Sequence, residues 1–442
     1  MLVAPDKVGL APYYAQIGAP FSARECLFIT FAYVFEKGSC LPLAEKTVGI
    51  YIHIPFCASK CSYCDFYSLA GCDSLMPKYQ EALLRNIREF APRLAGYYVD
   101  SVYFGGGTPS YYGAKYLASI FGELKQRYKI LKSAEVTLEA NPESISASDL
   151  RLLRREGFNR ISIGAQSASN TILKFIGRPH TFEQVQDAVK DAKEAGFDNI
   201  SLDLIYGLPA QTREDWADTI ARVAQLNPQH LSCYGLKIEE GTPLYKYRNS
   251  PEIPDDDAQA DMYLFTVDTL SQMGYKQYEI SNFAMKGKES RHNLKYWQLE
   301  EYVGFGASAA SCIGGQRYTY VSDLATYISA IHSGDAIVSE IETINEYELA
   351  SEYIMLGLRT AAGISDEEYT TIYQCSFEPM KQLFQTYIRM GLAKKRNDRW
   401  SFTPQGLLLS NRLIGELLDA QAEHKFQVGA PWRDMDYYTT LY

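Results

Sequence analysis

Long apolar runs are what this chain of 442 residues lacks most clearly. No segment reaches the ~20 consecutive apolar residues that a transmembrane helix needs. The nearest, Cys26–Phe35, lies too far into the chain for a usual signal peptide and follows no strongly basic region. The formal net charge is -10, so there is no excess of basic residues to attract nucleic acid or an anionic membrane. We therefore expect a cytoplasmic protein without stable membrane insertion and without nucleic-acid binding.

Cysteines in regular pairs are also scarce. Of the nine cysteines, only Cys57, Cys61 and Cys64 are closely spaced, within the stretch YIHIPFCASKCSYCDFY of Tyr51–Tyr67. Three thiols cannot all form disulfides with one another, and the irregular spacing elsewhere is typical of a reducing cytosol. A structural zinc site needs four ligands in two pairs, and neither a second cysteine pair nor a nearby histidine completes one. The loop therefore predicts a [4Fe–4S] cluster with one iron left unligated by protein.

The C-x3-C-x2-C spacing of this loop resembles the signature of radical S-adenosylmethionine (SAM) enzymes. In that superfamily the open iron binds the amino and carboxylate groups of SAM, and one electron from the cluster cleaves SAM homolytically. The resemblance implies the cluster and SAM as cofactors of this protein.

Apolar segments and helical patterns alternate from Val48 onwards. The strands are expected at Val48–Pro55, Ser101–Phe104, Glu135–Leu138, Arg160–Gly164, Ile200–Ile205 and His230–Leu236. Helices are expected between them, at Met76–Phe90, Tyr111–Tyr128, from Ser146, at Phe182–Ala195 and at Arg213–Leu226. Such alternation indicates an α/β fold with a parallel sheet, and six units are too few for a closed eight-stranded barrel. We therefore predict a partial (β/α)6 barrel.

Polar or glycine residues follow these strands at their carboxyl ends, where barrels place their chemistry. Glycines at 105–107, followed by Thr108, allow the backbone to approach a ligand closely and expose N–H donors. Glu139 and Asp203 can accept hydrogen bonds from ribose hydroxyls or an ammonium group. Gln166 offers an amide, and the Arg178 guanidinium can pair with a carboxylate. Each taken singly is more typical of a polar residue at the surface or at a barrel rim, but the set on one face favours ligand contact.

Six motifs together carry a more specific resemblance. The motifs IHIPFC, FGGGTPS, EANPES, RISIGAQS, DLIYGLP and EISNFA are similar to those of the oxygen-independent coproporphyrinogen III oxidase family, from about Thr47 to the C-terminus. The resemblance implies that Cys57, Cys61 and Cys64 ligate the cluster and that Tyr63 lies against the adenine side of SAM. The positions that match the SAM site of the family are Tyr51, Gly106, Gly107, Thr108, Glu139, Gln166, Arg178 and Asp203.

Two features divide that family. Its true oxidases carry a further cysteine two residues after the third cluster ligand, and here that position is Phe66. The segment HNLKYW resembles the haem-binding motif of the haem chaperone branch, which implies haem contact by His292, Asn293, Tyr296 and Trp297. An imidazole can ligate haem iron, and the aromatic rings offer flat apolar faces to a porphyrin. The structural alternative is a buried histidine among aromatic residues.

Two functions are therefore compared. The first is a chaperone that binds haem and delivers it to acceptor haemoproteins, for which the resemblance also implies a homodimer. The second is an oxidase that decarboxylates two propionates of coproporphyrinogen III by means of SAM-derived radicals. Phe66 and the HNLKYW segment favour the first. A radical SAM enzyme acting on an unrelated substrate is a third reading, and it leaves only HNLKYW unexplained.

The chain is expected to divide into four parts. Residues 1–46 form an N-terminal extension, residues 47–285 the radical SAM barrel, and residues 286–342 the haem-motif segment and connection. Residues 343–442 are expected to form a smaller, mostly helical, winged-helix-like C-terminal domain. That domain contains a hairpin at Lys394–Phe402 around Asn397, whose basic residues are expected to be solvated rather than bound to nucleic acid.

Overall fold

The computed structural model describes residues 46–427. The expected N-terminal extension, except its last residue, therefore lies outside the described residues, as do the apolar run at Cys26–Phe35 and residues 428–442. The division of the chain at residues 46, 285 and 342 stays a prediction. In the part that is described, no helix is both long and apolar enough to cross a membrane.

The first part of the described chain alternates strands and helices. Its elements are β1 (Thr47–Ile54), β2 (Phe56–Cys57), β3 (Leu69–Ala70), α1 (Met76–Phe90), β4 (Tyr98–Gly106), α2 (Pro109–Tyr112), α3 (Ala114–Arg127), β5 (Lys129–Ala140), α4 (Ala147–Glu156), β6 (Arg160–Gln166), α5 (Asn170–Phe175), α6 (Phe182–Glu194), β7 (Ile200–Tyr206), α7 (Arg213–Gln225), β8 (His230–Gly235) and α8 (Asp256–Gln272). Strands β1, β4, β5, β6, β7 and β8 are parallel neighbours in that order. The predicted α/β fold with a partial (β/α)6 barrel is confirmed.

The two faces of the parallel strands differ in polarity. Alternate residues such as Ile52, Phe104 and Leu138 are fully buried in the main apolar core. Since side chains alternate along a strand, the residues between them face the other side of the sheet, inside the barrel. We call this inner space the lumen. Its buried or half-buried polar side chains include Ser101, Tyr103, Glu135, Thr137, Glu139, Arg160, Ser162, Asp203 and His230.

Local signals explain where the barrel helices begin and end. Ser146 caps α4 by accepting a hydrogen bond from the N–H of Asp149, whose carboxylate accepts one from the N–H of Ser146. This capping box lies where the sequence predicts a helix start. The helix expected over Tyr111–Tyr128 is instead split in two at Gly113, whose φ of 107° breaks the helical path.

The segment after α8 extends the barrel sheet at both edges. Its elements are β9 (Lys276–Gln277), β10 (Asn282–Ala284), α9 (Arg291–Trp297), β11 (Tyr302–Phe305), β12 (Ala310–Ile313), β13 (Gln316–Tyr320), α10 (Leu324–Ser333) and β14 (Val338–Thr343). Strand β10 pairs antiparallel with β8, and β11 pairs parallel with β1, so that the sheet has twelve strands in the described residues. Strand β9 ends at Gln277, whose Nε2 donates to the carbonyl of Ile280 at 3.0 Å.

The C-terminal part has its own apolar core. Its elements are α11 (Glu346–Gly357), β15 (Ile364–Ser365), α12 (Asp366–Ile372), α13 (Glu378–Arg389), β16 (Ala393–Arg396), β17 (Arg399–Phe402), α14 (Pro404–Leu408) and α15 (Ser410–Gln427). A core that includes Phe384, Trp400 and Leu417 holds the helices against the small sheet. The expected hairpin is present, and Asn397 turns it with a φ of 55°. This arrangement agrees with the expected mostly helical, winged-helix-like domain.

Candidate functional site

The three predicted cluster cysteines lie on one loop at the carboxyl end of β1. Cys57 is buried, Cys61 and Cys64 are half-buried, and all three are free thiols. Ser62 fixes the position of the loop, because its N–H and its hydroxyl both donate to the carbonyl of Ile176, at 3.1 and 2.9 Å. These bonds hold the loop against the end of α5, so that its thiols are presented on a fixed support.

Two neighbouring side chains offer hydrogen bonds to the sulfurs of this loop. Thr108 Oγ1 lies 3.2 Å from Cys57 Sγ, and Arg178 Nη1 donates to Cys61 Sγ at 3.5 Å. Burial raises the pKa of the Cys57 and Cys64 thiols, so ligation of iron must displace their protons. Donors of this kind favour the thiolate form that iron binds.

The arrangement of donors fits a cluster better than a single metal ion. Across residues 46–427, no three His, Cys, Asp or Glu side chains converge closely enough to hold one ion. In a [4Fe–4S] cluster each cysteine binds a different iron, so the sulfurs need not converge on one point. Three free thiols on one loop therefore suit such a cluster, with one iron left for another ligand.

The glycine turn after β4 is pressed against the cysteine loop. A Cβ on Gly107 would lie 2.8 Å from the carbonyl oxygen of Phe56 and 3.0 Å from Cys57 Sγ, so only glycine fits there. The N–H groups of Gly107 and Thr108 donate to the carbonyls of Ile54 and Phe56, both at 2.8 Å. The expectation that these N–H groups face a ligand is therefore wrong, because β1 and the loop already use them.

Arg178 links the cysteine loop to the ends of two strands. Its Nη2 donates to Asn141 Oδ1 at 2.8 Å and to the carbonyl of Gly164 at 2.9 Å. Asn141 Nδ2 in turn donates to Thr108 Oγ1 at 3.3 Å. Asn141 is not among the predicted site residues, although its place two residues beyond Glu139 at a strand end was the available signal. Beside this network lies a small cavity lined by Ala58, Ser59, Cys61, Thr108, Tyr111, Asn141, Glu143, Ser144 and Pro179.

The predicted polar residues at the other strand ends lie on the same rim. Glu139 accepts a hydrogen bond from the Tyr103 hydroxyl at 2.6 Å, and burial raises the pKa of Glu139 to about 7. Asp203 accepts from the Ser162 hydroxyl at 3.0 Å, and burial raises its pKa as well. Gln166 is buried and has a φ of 64°, a left-handed conformation that is uncommon for residues other than glycine. Strained backbone of this kind concentrates at functional sites.

The two predicted tyrosines occupy different surroundings. Tyr63 lies on the cysteine loop and packs against the small apolar cluster of Leu173, Ile176 and Leu208. Tyr51 instead faces the lumen, where its ring stacks on that of Tyr103 with 6.2 Å between centroids. Its hydroxyl lies 3.1 Å from His53 Nδ1. The set of predicted cluster and SAM residues therefore converges on the loop and the rim, except that Tyr51 lies deeper.

The HNLKYW segment forms α9, which lies at the other end of the lumen. A Cβ on Gly49, near the start of β1, would lie 3.0 Å from the Lys295 side chain and 3.1 Å from the His292 ring. His292 Nδ1 lies 2.9 Å from the hydroxyl of Ser101 on β4. The path along β4 from Ser101 to Gly107 beside the cysteine loop is roughly 20 Å. The structure therefore separates HNLKYW from the cysteine loop.

His292 is fully buried, and both of its ring nitrogens have partners. Nδ1 contacts the Ser101 hydroxyl, Nε2 lies 2.8 Å from the hydroxyl of Tyr296, and the ring stacks on that of Tyr103. The backbone N–H of His292 donates to the Glu135 carboxylate at 3.1 Å. Burial lowers the pKa of His292 to about 3, so the imidazole is neutral. Trp297 is buried, whereas Asn293 and Tyr296 are half-buried.

Comparison with known proteins agrees with this geometry. Residues 51–223 match the radical SAM superfamily, and residues 344–409 match the HemN C-terminal domain. The heme chaperone HemW of Lactococcus lactis is 34% identical over 379 residues, which cover 85% of this chain and 98% of that protein. The heme chaperone HemW of Bacillus subtilis is 33% identical, with 83% and 98% covered.

A solved structure shares the fold. The coproporphyrinogen III oxidase HemN of Escherichia coli, described as a radical SAM enzyme, superposes with a TM-score of 0.75 at 24% identity, over 86% of this chain and 91% of that one. This likeness concerns the fold, whereas the similarity to the chaperones extends over almost their whole length at 30% identity or more. This chain belongs to the HemW family of haem chaperones within the radical SAM superfamily.

Proposed function

We propose that this protein binds haem together with a SAM-liganded [4Fe–4S] cluster and delivers the haem to acceptor haemoproteins in the cytoplasm. The observation that carries the proposal is a loop of three free cysteines in a chain that spans 98% of relatives named haem chaperones. At the position of the further cysteine that the resemblance assigns to true oxidases, this chain has Phe66, a residue that is 37% exposed.

Cys57, Cys61 and Cys64 would hold the cluster. Bound there, a [4Fe–4S] cluster with SAM on its open iron supplies one-electron cleavage of SAM. Thr108 and Arg178 stabilise the thiolates of Cys57 and Cys61 through their contacts at 3.2 and 3.5 Å. The glycine turn with Gly106 and Gly107 keeps the loop in place.

The rim residues would hold SAM. Arg178 is 8% exposed and its Nε has no hydrogen-bond partner among the described residues, so this donor is free for the SAM carboxylate. Glu139, Gln166 and Asp203 would bind the ribose hydroxyls and the ammonium group. A Glu139 carboxyl with a pKa of about 7 is partly protonated at neutral pH, so it can donate as well as accept. Tyr63 would line the adenosyl site at the cysteine loop, and Tyr51 would line it deeper in the lumen.

His292 is the proposed ligand of haem iron, with Asn293, Tyr296 and Trp297 around the macrocycle. The ring nitrogens of His292 contact Ser101 and Tyr296 in this structure, so iron ligation requires His292 to give up one of these contacts. The fully buried ring must also become accessible. The proposal therefore includes a movement of α9 away from the lumen when haem binds.

The experiment is an anaerobic haem titration of the cluster-loaded full chain, followed by the Soret band, with His292→Ala and Tyr296→Phe as variants. We expect stoichiometric binding by the wild type and loss of the ligated Soret spectrum in His292→Ala. Tyr296→Phe removes one hydrogen bond that holds His292 inside, so it should bind haem at least as tightly as the wild type. Equal haem binding by His292→Ala and the wild type would show that His292 is not the ligand of haem iron.

Two further assays decide between functions. Anaerobic incubation with coproporphyrinogen III tests the oxidase alternative, and formation of protoporphyrinogen IX would overturn the chaperone proposal. Transfer is tested by mixing haem-loaded protein with an apo-haemoprotein and following the acceptor's spectrum. A second copy of the chain is a further proposed partner, which analytical ultracentrifugation with and without haem tests.

A further inference from the structure

Two polar side chains inside the lumen have hydrogen-bonding groups that are unpaired among the described residues. Arg160 is 2% exposed, and neither its Nε nor its Nη1 has a hydrogen-bond partner among the described residues. Thr137 is fully buried, and its hydroxyl also has no hydrogen-bond partner among the described residues. Arg160 and Thr137 are register partners on the neighbouring strands β6 and β5, so their side chains leave the sheet on the same face. Three unused hydrogen-bonding groups therefore lie side by side.

A buried guanidinium without partners is costly. Removing a charge from water without pairing it costs several kcal/mol by order of magnitude, so proteins pair such groups or use them to bind ligands. Burial acts to lower the pKa of Arg160, but Glu135 and other anionic neighbours outweigh it and keep the pKa above its ordinary value. The side chain is therefore a cation in the folded protein.

The nearby carboxylate does not use these donors. Glu135 has the largest favourable charge effect on Arg160, yet its two oxygens accept the backbone N–H groups of Arg291 and His292, both at 3.1 Å. Burial lowers the pKa values of His230 and His292, and the charge of Arg160 lowers them further. Both histidines are therefore neutral. Neither His nor Glu therefore occupies Nε and Nη1 of Arg160.

We infer that Arg160 and Thr137 form a carboxylate-binding subsite inside the lumen. The N–H groups of Nε and Nη1 lie on different edges of the guanidinium, so either one can bind a carboxylate oxygen as a charged donor, and the Thr137 hydroxyl can add a second bond. Thr137 precedes Glu139 by two residues on β5, a rise of roughly 7 Å. The subsite therefore lies below the rim proposed for SAM and on the way towards α9.

Two compounds of the proposed function carry carboxylates, and in this respect the inference rests on that function. Haem has two propionates, one of which would enter the lumen. SAM has the carboxylate of its methionine part, for which Arg178 at the rim is the proposed partner and Arg160 the competing one. Both sources present the same chemistry to Arg160. The experiment must therefore compare each compound with an otherwise similar one that lacks the carboxylate.

The test measures affinities of the cluster-loaded full chain for four compounds: haem and haem dimethyl ester, SAM and decarboxylated SAM. Arg160→Gln is compared with the wild type and with Arg155→Gln, which removes the same charge from the exposed surface of α4. Loss of a charged hydrogen-bond pair should weaken the carboxylate ligand by about 10- to 100-fold. The ligand without the carboxylate should change by less than about 3-fold, as should every affinity of Arg155→Gln.

The pattern of losses identifies the source. A loss confined to haem assigns the subsite to a propionate, and a loss confined to SAM assigns it to the methionine carboxylate. Equal changes for both members of each pair, or no change, would overturn the subsite and leave Arg160 a structural residue. Wild-type protein that binds no haem would instead refute the proposed function, while the SAM pair still decides the subsite.

Two milder variants allow the subsite to be tested even if Arg160→Gln does not fold. Arg160→Lys keeps the charge without the planar fork, and an intermediate loss confined to the carboxylate ligand is expected. Thr137→Val keeps the shape of the side chain and removes only the hydroxyl, with an expected loss of a few-fold. If both variants kept wild-type affinities for all four compounds, the subsite would be refuted.

Discussion

At the carboxyl ends of the barrel strands the buried guanidinium of Arg178 keeps an unpaired donor, whereas the imidazole of His292 on α9 at the other end is fully paired. Among the described residues Arg178 Nε has no hydrogen-bond partner, and the three cysteines of the nearby loop are free thiols. Around α9, both nitrogens of His292 have partners and the Glu135 carboxylate accepts two backbone N–H groups. Unused buried donors identify a place for a ligand, while paired groups identify packing that a ligand must first disrupt.

This comparison changes how the two motifs of the sequence are interpreted. The cysteine loop would need little rearrangement to bind the proposed cluster, because donors already face its sulfurs. The HNLKYW segment contributes buried side chains to the lumen, so the proposed haem ligation there would compete with the stability of the barrel. The following predictions test that difference, in order of decreasing effect.

The largest effect is expected for Cys61→Ser. It removes one of three cluster ligands, so the cluster should fail to assemble, as seen in the iron content and the absorption spectrum after anaerobic reconstitution. Haem binding should persist, because α9 lies roughly 20 Å from the loop along β4. Cys72→Ser is the matched control, since Cys72 lies near the loop but outside the predicted ligand set. Loss of haem binding together with the cluster would show that the two ends depend on each other.

A large loss of stability is expected for His292→Ala in the haem-free protein. The variant removes a fully buried ring, its stacking on Tyr103 and its contacts with Ser101 and Tyr296. The free energy of unfolding should fall by about 2–4 kcal/mol, measured by urea denaturation. His332→Ala, whose side chain is 49% exposed, should lose less than about 1 kcal/mol. Equal losses would mean that His292 contributes little to the packing of α9.

The smallest effect is the pH dependence of stability that Glu139 causes. Its pKa is raised by burial from 4.5 to about 7, so between these values the unfolded chain ionises while the folded protein keeps the proton. Stability should therefore fall as the pH rises from about 4.5 to 7 and then level off. Because Glu139 is partly exposed, we expect about 1–2 kcal/mol rather than the full value for such a shift.

Glu139→Gln isolates this contribution, because the amide does not titrate. The difference in unfolding free energy between wild type and Glu139→Gln should change in favour of the variant as the pH rises from 4.5 to 8. A difference that is constant across this range would mean that the carboxyl titrates alike in the folded and unfolded chain. SAM affinity of the same variant, measured by equilibrium dialysis, tests the proposed contact with ribose.

Some features of the fold depend on signals that are local in the chain. The capping box of Ser146 and Asp149 is readable from four consecutive residues, and α1 has the predicted bounds Met76–Phe90. The six barrel strands are found where apolar segments between helical patterns predict them. The strands β11–β14 were not predicted, because their short segments pair with distant partners such as β1, and no local pattern records that pairing.

The candidate site likewise contains residues that local motifs predict and residues that only tertiary contacts bring together. The cysteine loop and the glycine turn are contiguous motifs, and their residues meet in the structure as expected. Asn141 was missed because its role comes from contacts with Thr108 and Arg178, which are distant in sequence. Arg160 and Thr137 were missed for a related reason, since only the register of β5 and β6 places them side by side.

The sequence by itself determined the chemistry that this protein can hold: three thiols at cluster spacing, glycines that permit close approach, and strands whose ends carry polar residues. Those properties follow from residue type and short spacing. The tertiary structure alone decided that α9 closes the far end of the lumen, that His292 is buried with both nitrogens paired, and that Nε and Nη1 of Arg160 have no hydrogen-bond partner among the described residues. Burial and hydrogen-bond partnership arise from segments far apart in the chain, so only the folded arrangement determines them.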